Sequence, residues 1–181
     1  MKKLLIIPII IICIGYPTII YGDENVNSKL KMFETQLSIK IAEIKNIDNR
    51  YKEILKTYIT TNKTEKAIDC FKMHDSLSFA NSQLTTIKHL THIMKYIKEE
   101  HKLNYYNYLI NGITYGISFL NLPEIGSDHY SNKYKNDRQL QTILNDTALI
   151  INSTTNILSN TFEFLIKYRF KLRKKQNTIG K

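Results

Sequence analysis

From Ser28 onward, apolar side chains recur at Leu30, Phe33, Leu37, Ile44, Ile47, Tyr51, Ile54 and Tyr58. The steps are three, four and seven, with one polar gap at Lys40 that neighbouring Ile41 partly covers. Held over four heptads, this spacing predicts a first helix with a coiled-coil seam. Lys31, Glu34, Lys45, Asn49, Lys52 and Lys56 fall on the other face, where water would solvate them.

The pattern breaks at Thr60-Thr61-Asn62-Lys63-Thr64. Asn62, with Glu65 three residues later, reads as the N-cap of a second helix. That helix is expected to run through Met73, Leu77, Ala80, Leu84, Ile87, Leu90, Met94, Ile97 and His101. A short polar turn between two such helices predicts an antiparallel hairpin.

A third pattern stacks by seven near the C-terminus, where LNDTALI, INSTTNI and LSNTFEF follow one another from residue 144. One column is Leu144, Ile151, Leu158 and Leu165; a second is Ile143, Ile150, Ile157 and Phe164; a third is Thr147, Thr154 and Thr161. A sevenfold repeat favours left-handed supercoiling against neighbouring helices. The first column is thus a seam for a partner helix or for the chain's own core. Threonine can return its hydroxyl to its own backbone and let helices approach closely. This helix is expected from about Asp137 to about Lys174.

Between these patterns, Tyr105 to Leu122 carries no charge and is open to three readings. A helix would align Gly112 and Gly116 as a small, close-packing face. Asn111-Gly112 among aromatic and β-branched residues is also a hairpin signal, which places a small β-hairpin near 105–119. A membrane span is the third, against which the Asn, Thr and Ser residues speak. Helix is preferred. Pro123, Gly126, Ser127 and Asp128 then predict a loop reaching about Asn136. The fold class that results is all-α, an elongated helical hairpin or bundle with coiled-coil-like packing.

The first residues read differently. Met1-Lys2-Lys3 precedes an uncharged run from Leu4, with Pro17 and Gly22 near its end. That is the form of a secretory signal peptide over residues 1–22, cut after Gly22. The uncharged stretch from Leu4 to Gly22 is also long enough to serve as an uncleaved anchor. Lipidation of Cys13 is a third reading, disfavoured by its large neighbours Ile10 and Ile12. Beyond residue 22, Cys70 is the lone cysteine, and its helical setting reads as a buried small hydrophobe. An exported chain with one thiol holds its fold by packing and not by an internal disulfide.

Charge alters the picture in one place. The 181 residues carry a formal net charge of +10. Residues 23–166 hold 17 Lys and Arg against 16 Asp and Glu, so the expected helical domain is nearly neutral. Residues 167–181 hold Lys167, Arg169, Lys171, Arg173, Lys174, Lys175 and Lys181 with no acid, and form a separate basic tail. Tyr168, Phe170 and Leu172 alternate with the cations, a composition suited to an anionic membrane surface. A solvated tail is the plainer reading, and nucleic acid is a poor fit for an exported chain.

Motifs of chemistry are few. His89 and His92 share a helix face, yet the nearest acids, Asp75 and Glu99, have no ligand spacing, so no metal and no cofactor is expected. There is no phosphate-cradling glycine loop and no nucleophile elbow. The expectation is a non-enzymatic exported helical interaction protein, periplasmic, cell-surface or secreted. It would be a component of an envelope, secretion, conjugation or attachment assembly, binding a protein partner or a second copy through helices. The alternative is a membrane-associated protein, held by an uncleaved N-terminal anchor or by the basic aromatic tail.

Overall fold

The computed structural model describes residues 23–179. The signal-peptide, anchor and Cys13 readings fall outside the described residues. Four helices follow in order: α1 over Asp23–Thr60, α2 over Thr64–Met94, α3 over Glu99–Lys133 and α4 over Arg138–Ile179. At 1.5 Å per residue they run from about 46 Å for α2 to about 63 Å for α4. Their connections are three or four residues long, which forces each helix to return antiparallel beside the last. α1 packs on α2, α2 on α3, α3 on α4, and α4 returns to α1, closing a four-helix bundle.

The core is built from the predicted stripes. Every α1 position from Leu30 to Tyr58 in the first pattern is buried, and so are Met73, Leu77, Ala80, Leu84, Ile87 and Met94 of α2. The turn after α1 differs from its expected chemistry. Asn62 is not an N-cap side chain; it adopts φ 58°, the only positive φ among the described non-glycine residues. The Lys63 N–H donates to the Tyr58 carbonyl at 2.8 Å and the Asn62 N–H to the Ile59 carbonyl at 3.2 Å. These two bonds end α1 with a left-handed asparagine in a Schellman arrangement.

The second pattern does not run on to His101. α2 stops at Met94, Lys95–Lys98 turn the chain, and His101 belongs to α3. Lys98 is extended, at φ −63° and ψ 148°, and so redirects the chain before Glu99.

Residues 105–122 lie wholly within α3, so no β-hairpin forms near 105–119, and the described residues contain no strand. Leu109, Ile113, Gly116, Leu120, Pro123 and Ser127 face the core at steps of three and four. That periodicity decides against the local Asn111-Gly112 turn signal. It also carries the helix through Pro123, so the loop expected over 123–136 is confined to Tyr134–Asp137. Proline here removes one backbone hydrogen bond, to the Phe119 carbonyl, while the buried face on both sides keeps the helix in place. Gly112 and Gly116 let α2 come close. A Cβ on Gly116 would sit 2.5 Å from Ile87 Cδ1, and one on Gly112 would lie 3.3 Å from Leu90 Cδ1. No described helix is long and apolar enough to cross a membrane.

Candidate interaction surfaces

The sevenfold seam lies inside the molecule. Leu144, Ile151, Leu158 and Leu165 are all fully buried against the chain's own helices. Of the second column, Ile143 is buried, while Ile150, Ile157 and Phe164 pack partly buried at its edge. The threonine column returns its hydroxyls to the backbone: Thr147 to Ile143 O and Thr154 to Ile150 O at 2.7 Å, Thr161 to Ile157 O at 2.9 Å. Thr147 also meets the buried Tyr51 hydroxyl of α1 at 3.2 Å. The seam is therefore filled within the chain itself.

Polar side chains tie the two short turns together at one end of the bundle. Asp69 of α2 accepts from Lys133 Nζ at 2.5 Å and from the Tyr134 hydroxyl at 2.7 Å. Burial works against this carboxylate, but the Lys133 and Tyr134 bonds outweigh it and hold its pKa below the usual range. Asp137 caps α4, accepting from the Leu140 N–H at 3.2 Å. It also takes the Tyr58 hydroxyl at 2.7 Å and Lys66 Nζ at 2.5 Å, and its pKa is lowered despite burial. Cys70 is buried nearby. Burial first, then the Asp137 and Asp69 charges, push its thiol up to about 12, which makes it a poor nucleophile.

Two of the histidines, His74 and His92, contact carboxylates on a neighbouring helix. His74 Nδ1 contacts Asp48 Oδ1, and Lys52 Nζ lies 3.0 Å from the same carboxylate. His92 Nδ1 is 2.9 Å from Glu34, which Lys95 also contacts; that Lys95 bond, against burial, lowers the Glu34 pKa. His89 is exposed. No group of three or more His, Cys, Asp or Glu among the described residues is arranged to hold a metal ion. Sequence reasoning did not find the Asp48–His74 or Asp69–Lys133 pairs, because each joins different helices and no local spacing announces it. A shallow groove between α1 and α4, lined by Asn49, Arg50, Glu53, Gln139, Thr142 and Ile143, is bordered by the Arg50–Asp146 ion pair at 2.6 Å.

The basic segment is a continuation of α4 with no break at residue 167. In a helix, alternate residues point to opposite sides, so its aromatic and basic residues do not sort into two faces as they would in an extended strand. Tyr168 is buried, its ring 5.1 Å from that of Tyr106, and Leu172 packs partly buried against the core. Arg169 donates to Asn107 Oδ1 at 3.3 Å, with its guanidinium over the exposed Phe170 ring. Lys167, Lys171, Arg173 and Lys174 are exposed. Lys175 lies in the same helix.

A second surface is distinguished by what it lacks. Residues 76–87 of α2, 103–123 of α3 and 147–162 of α4 contain no charged side chain. They come together at Gly116, which sits between Ile87 of α2 and Leu158 of α4. On the outside this surface exposes Phe79 (53%), Tyr115 (64%) and Leu122 (54%), with the Phe79 and Phe119 rings 5.3 Å apart. Asn145, Asn152, Asn156 and Asn160 are exposed along α4. α1, by contrast, carries Lys40, Glu43, Lys45 and Asp48, with Asp48 turned to His74 of α2 and Glu43 to the groove against α4.

Comparison of this chain with protein-family models, with curated proteins and with solved structures finds no match.

Proposed function

We propose that this chain is an exported, non-enzymatic helical interaction protein, a periplasmic or surface component of an envelope, secretion, conjugation or attachment assembly. The observation that carries the reading is the charge-free face shared by α2, α3 and α4. Interface centres are depleted of charge and enriched in aromatic side chains, and this face has both properties in a chain that is 23% charged. The export half of the proposal rests on the Lys2-Lys3 start and the uncharged run that follows. The sevenfold α4 seam supports coiled-coil-like packing within the bundle, leaving the outer face to meet a protein partner or a second copy.

Site-specific photocrosslinking in the expressing cell tests this. A crosslinker at position 115 or 156 should give a discrete adduct, and one at position 45 on α1 should give none. Equal labelling at all three positions, or no adduct at 115 and 156, rules the face out.

A further inference from the structure

We propose that the end of the bundle holding the start of α1, the α2–α3 turn and the last turns of α4 docks on an anionic lipid surface. This contact is separate from the charge-free face and does not depend on it. The antiparallel order brings these three elements together. Lys29 Nζ of α1 lies 4.5 Å from the Phe164 ring of α4, Tyr168 packs on Tyr106 of α3, and Glu34 of α1 pairs with His92 and Lys95 of α2. From these registers α4 projects past the first residue of α3 by about 6 Å and past that of α1 by about 13 Å.

The last turns of α4 are the most basic stretch of the chain. Lys171, Arg173, Lys174 and Lys175 fall past the first residue of α1, level with the first turns of α3, with no acid beyond Glu163 on α4. At 100° per residue Lys171, Arg173 and Lys174 point to separate sides of the helix instead of lining one stripe. Cations spread around the last turns of a helix suit contact with a headgroup layer; a nucleic-acid duplex would favour a single basic stripe. At the neighbouring turn Lys95 pairs with Glu34, and Lys98 and Lys102 are matched in number by Glu99 and Glu100, so the excess positive charge comes from α4. Exposed apolar and aromatic groups sit at the same end: Tyr96 (73%), Ile93 and Phe170. Such amphipathic rings favour the boundary between headgroups and water. Each cation near an anionic surface adds attraction that salt screens.

The test is flotation of the full chain with vesicles of phosphatidylcholine alone, or of phosphatidylcholine containing phosphatidylserine. Lys2 and Lys3 flank the apolar N-terminal run and also favour anionic headgroups, so the comparison between two charge-reversal triples, beside the ratio between the vesicle types, isolates the basic end. The ratio is expected to be tenfold or more at low salt and to vanish at high salt. Arg173→Glu, Lys174→Glu and Lys175→Glu together should abolish it. The equally charged triple Lys45→Glu, Lys56→Glu and Lys135→Glu, distributed away from this end, should keep it. Should the first triple lose helicity, the glutamine version at the same three positions replaces it and should also lose the preference. Equal binding to both vesicles, a preference surviving in the first triple, or equal loss in both triples overturns the proposal. So does tight binding to duplex DNA without any vesicle preference.

Discussion

Tyr51 of α1 and Thr147 of α4 meet hydroxyl to hydroxyl at 3.2 Å, both fully buried, at the seam where the first and last helices close the bundle. Their positions are unequal. Thr147 also bonds to the Ile143 carbonyl, whereas the Tyr51 hydroxyl has no other partner among the described residues. Burial accordingly raises the Tyr51 pKa well above the usual phenol range.

That inequality predicts an asymmetric pair of variants. Tyr51→Phe leaves Thr147 satisfied and should cost about 1 kcal/mol. Thr147→Val strands a buried phenol and should cost about 2 kcal/mol, while the double variant should be nearer Tyr51→Phe than the sum. Urea unfolding followed by circular dichroism measures all three. Equal single-variant losses would contradict the assignment.

Acid should destabilise the bundle through the turn-end carboxylates. Asp69, Asp137 and Glu34 have pKa values lowered on folding. A group whose folded pKa lies below its unfolded one stabilises above the unfolded value and loses that contribution as pH falls through the folded value. Tm should therefore hold steady down to about pH 4 and fall below it. Asp137→Asn retains a capping side chain but loses the charge facing Lys66, so it should flatten the acid limb by lowering Tm at neutral pH towards the acid value. A limb unchanged in that variant would remove Asp137 as a contributor.

Cys70 should resist modification while the bundle is folded. With its thiol at about 12, the thiolate fraction at pH 8 is very small, and the side chain is buried as well. Iodoacetamide labelling mapped by mass spectrometry should mark Cys70 only after denaturant unfolds the chain. Rapid labelling in buffer would place the thiol at an accessible position.

The α2–α3 contact at Gly116 can be examined through the single atom that limits it. Gly116→Ala should gain about 1 kcal/mol of helix propensity but push against Ile87 Cδ1 in a filled core, with a net loss of about 1 kcal/mol. Ile87→Val removes that atom and alone should cost about 1 kcal/mol. Combined, the two should be less destabilising than their sum. A purely additive pair would show that the neighbours absorb the new methyl.

The buried faces of α1, α2 and α4 were legible because one physical signal, a step of three or four between apolar residues, is local. The same signal crosses Pro123, at Leu120, Pro123 and Ser127, yet Pro, Gly, Ser and Asp together resemble a loop when weighed as breakers. The break at Lys95–Lys98 has the opposite fault: no glycine or proline marks it, and Met94, Ile97 and His101 keep helical spacing across it. Asn62 was recognised as a boundary residue but assigned to the wrong helix, since asparagine serves both an N-cap and a left-handed C-terminal position. For the candidate surfaces, the basic residues were visible by composition. The charge-free face was not, because it exists only where α2, α3 and α4 lie abreast.

Closure of α4 on α1 has a bearing on the order in which the molecule can assemble. A ribosome or a translocation channel releases the N-terminus first. The α1–α2 and α3–α4 hairpins can each form from neighbouring sequence, whereas the Tyr51–Thr147 contact waits for residues almost a hundred positions later. Half-made chains thus carry an open flank on α1 until the final helix arrives to seal it.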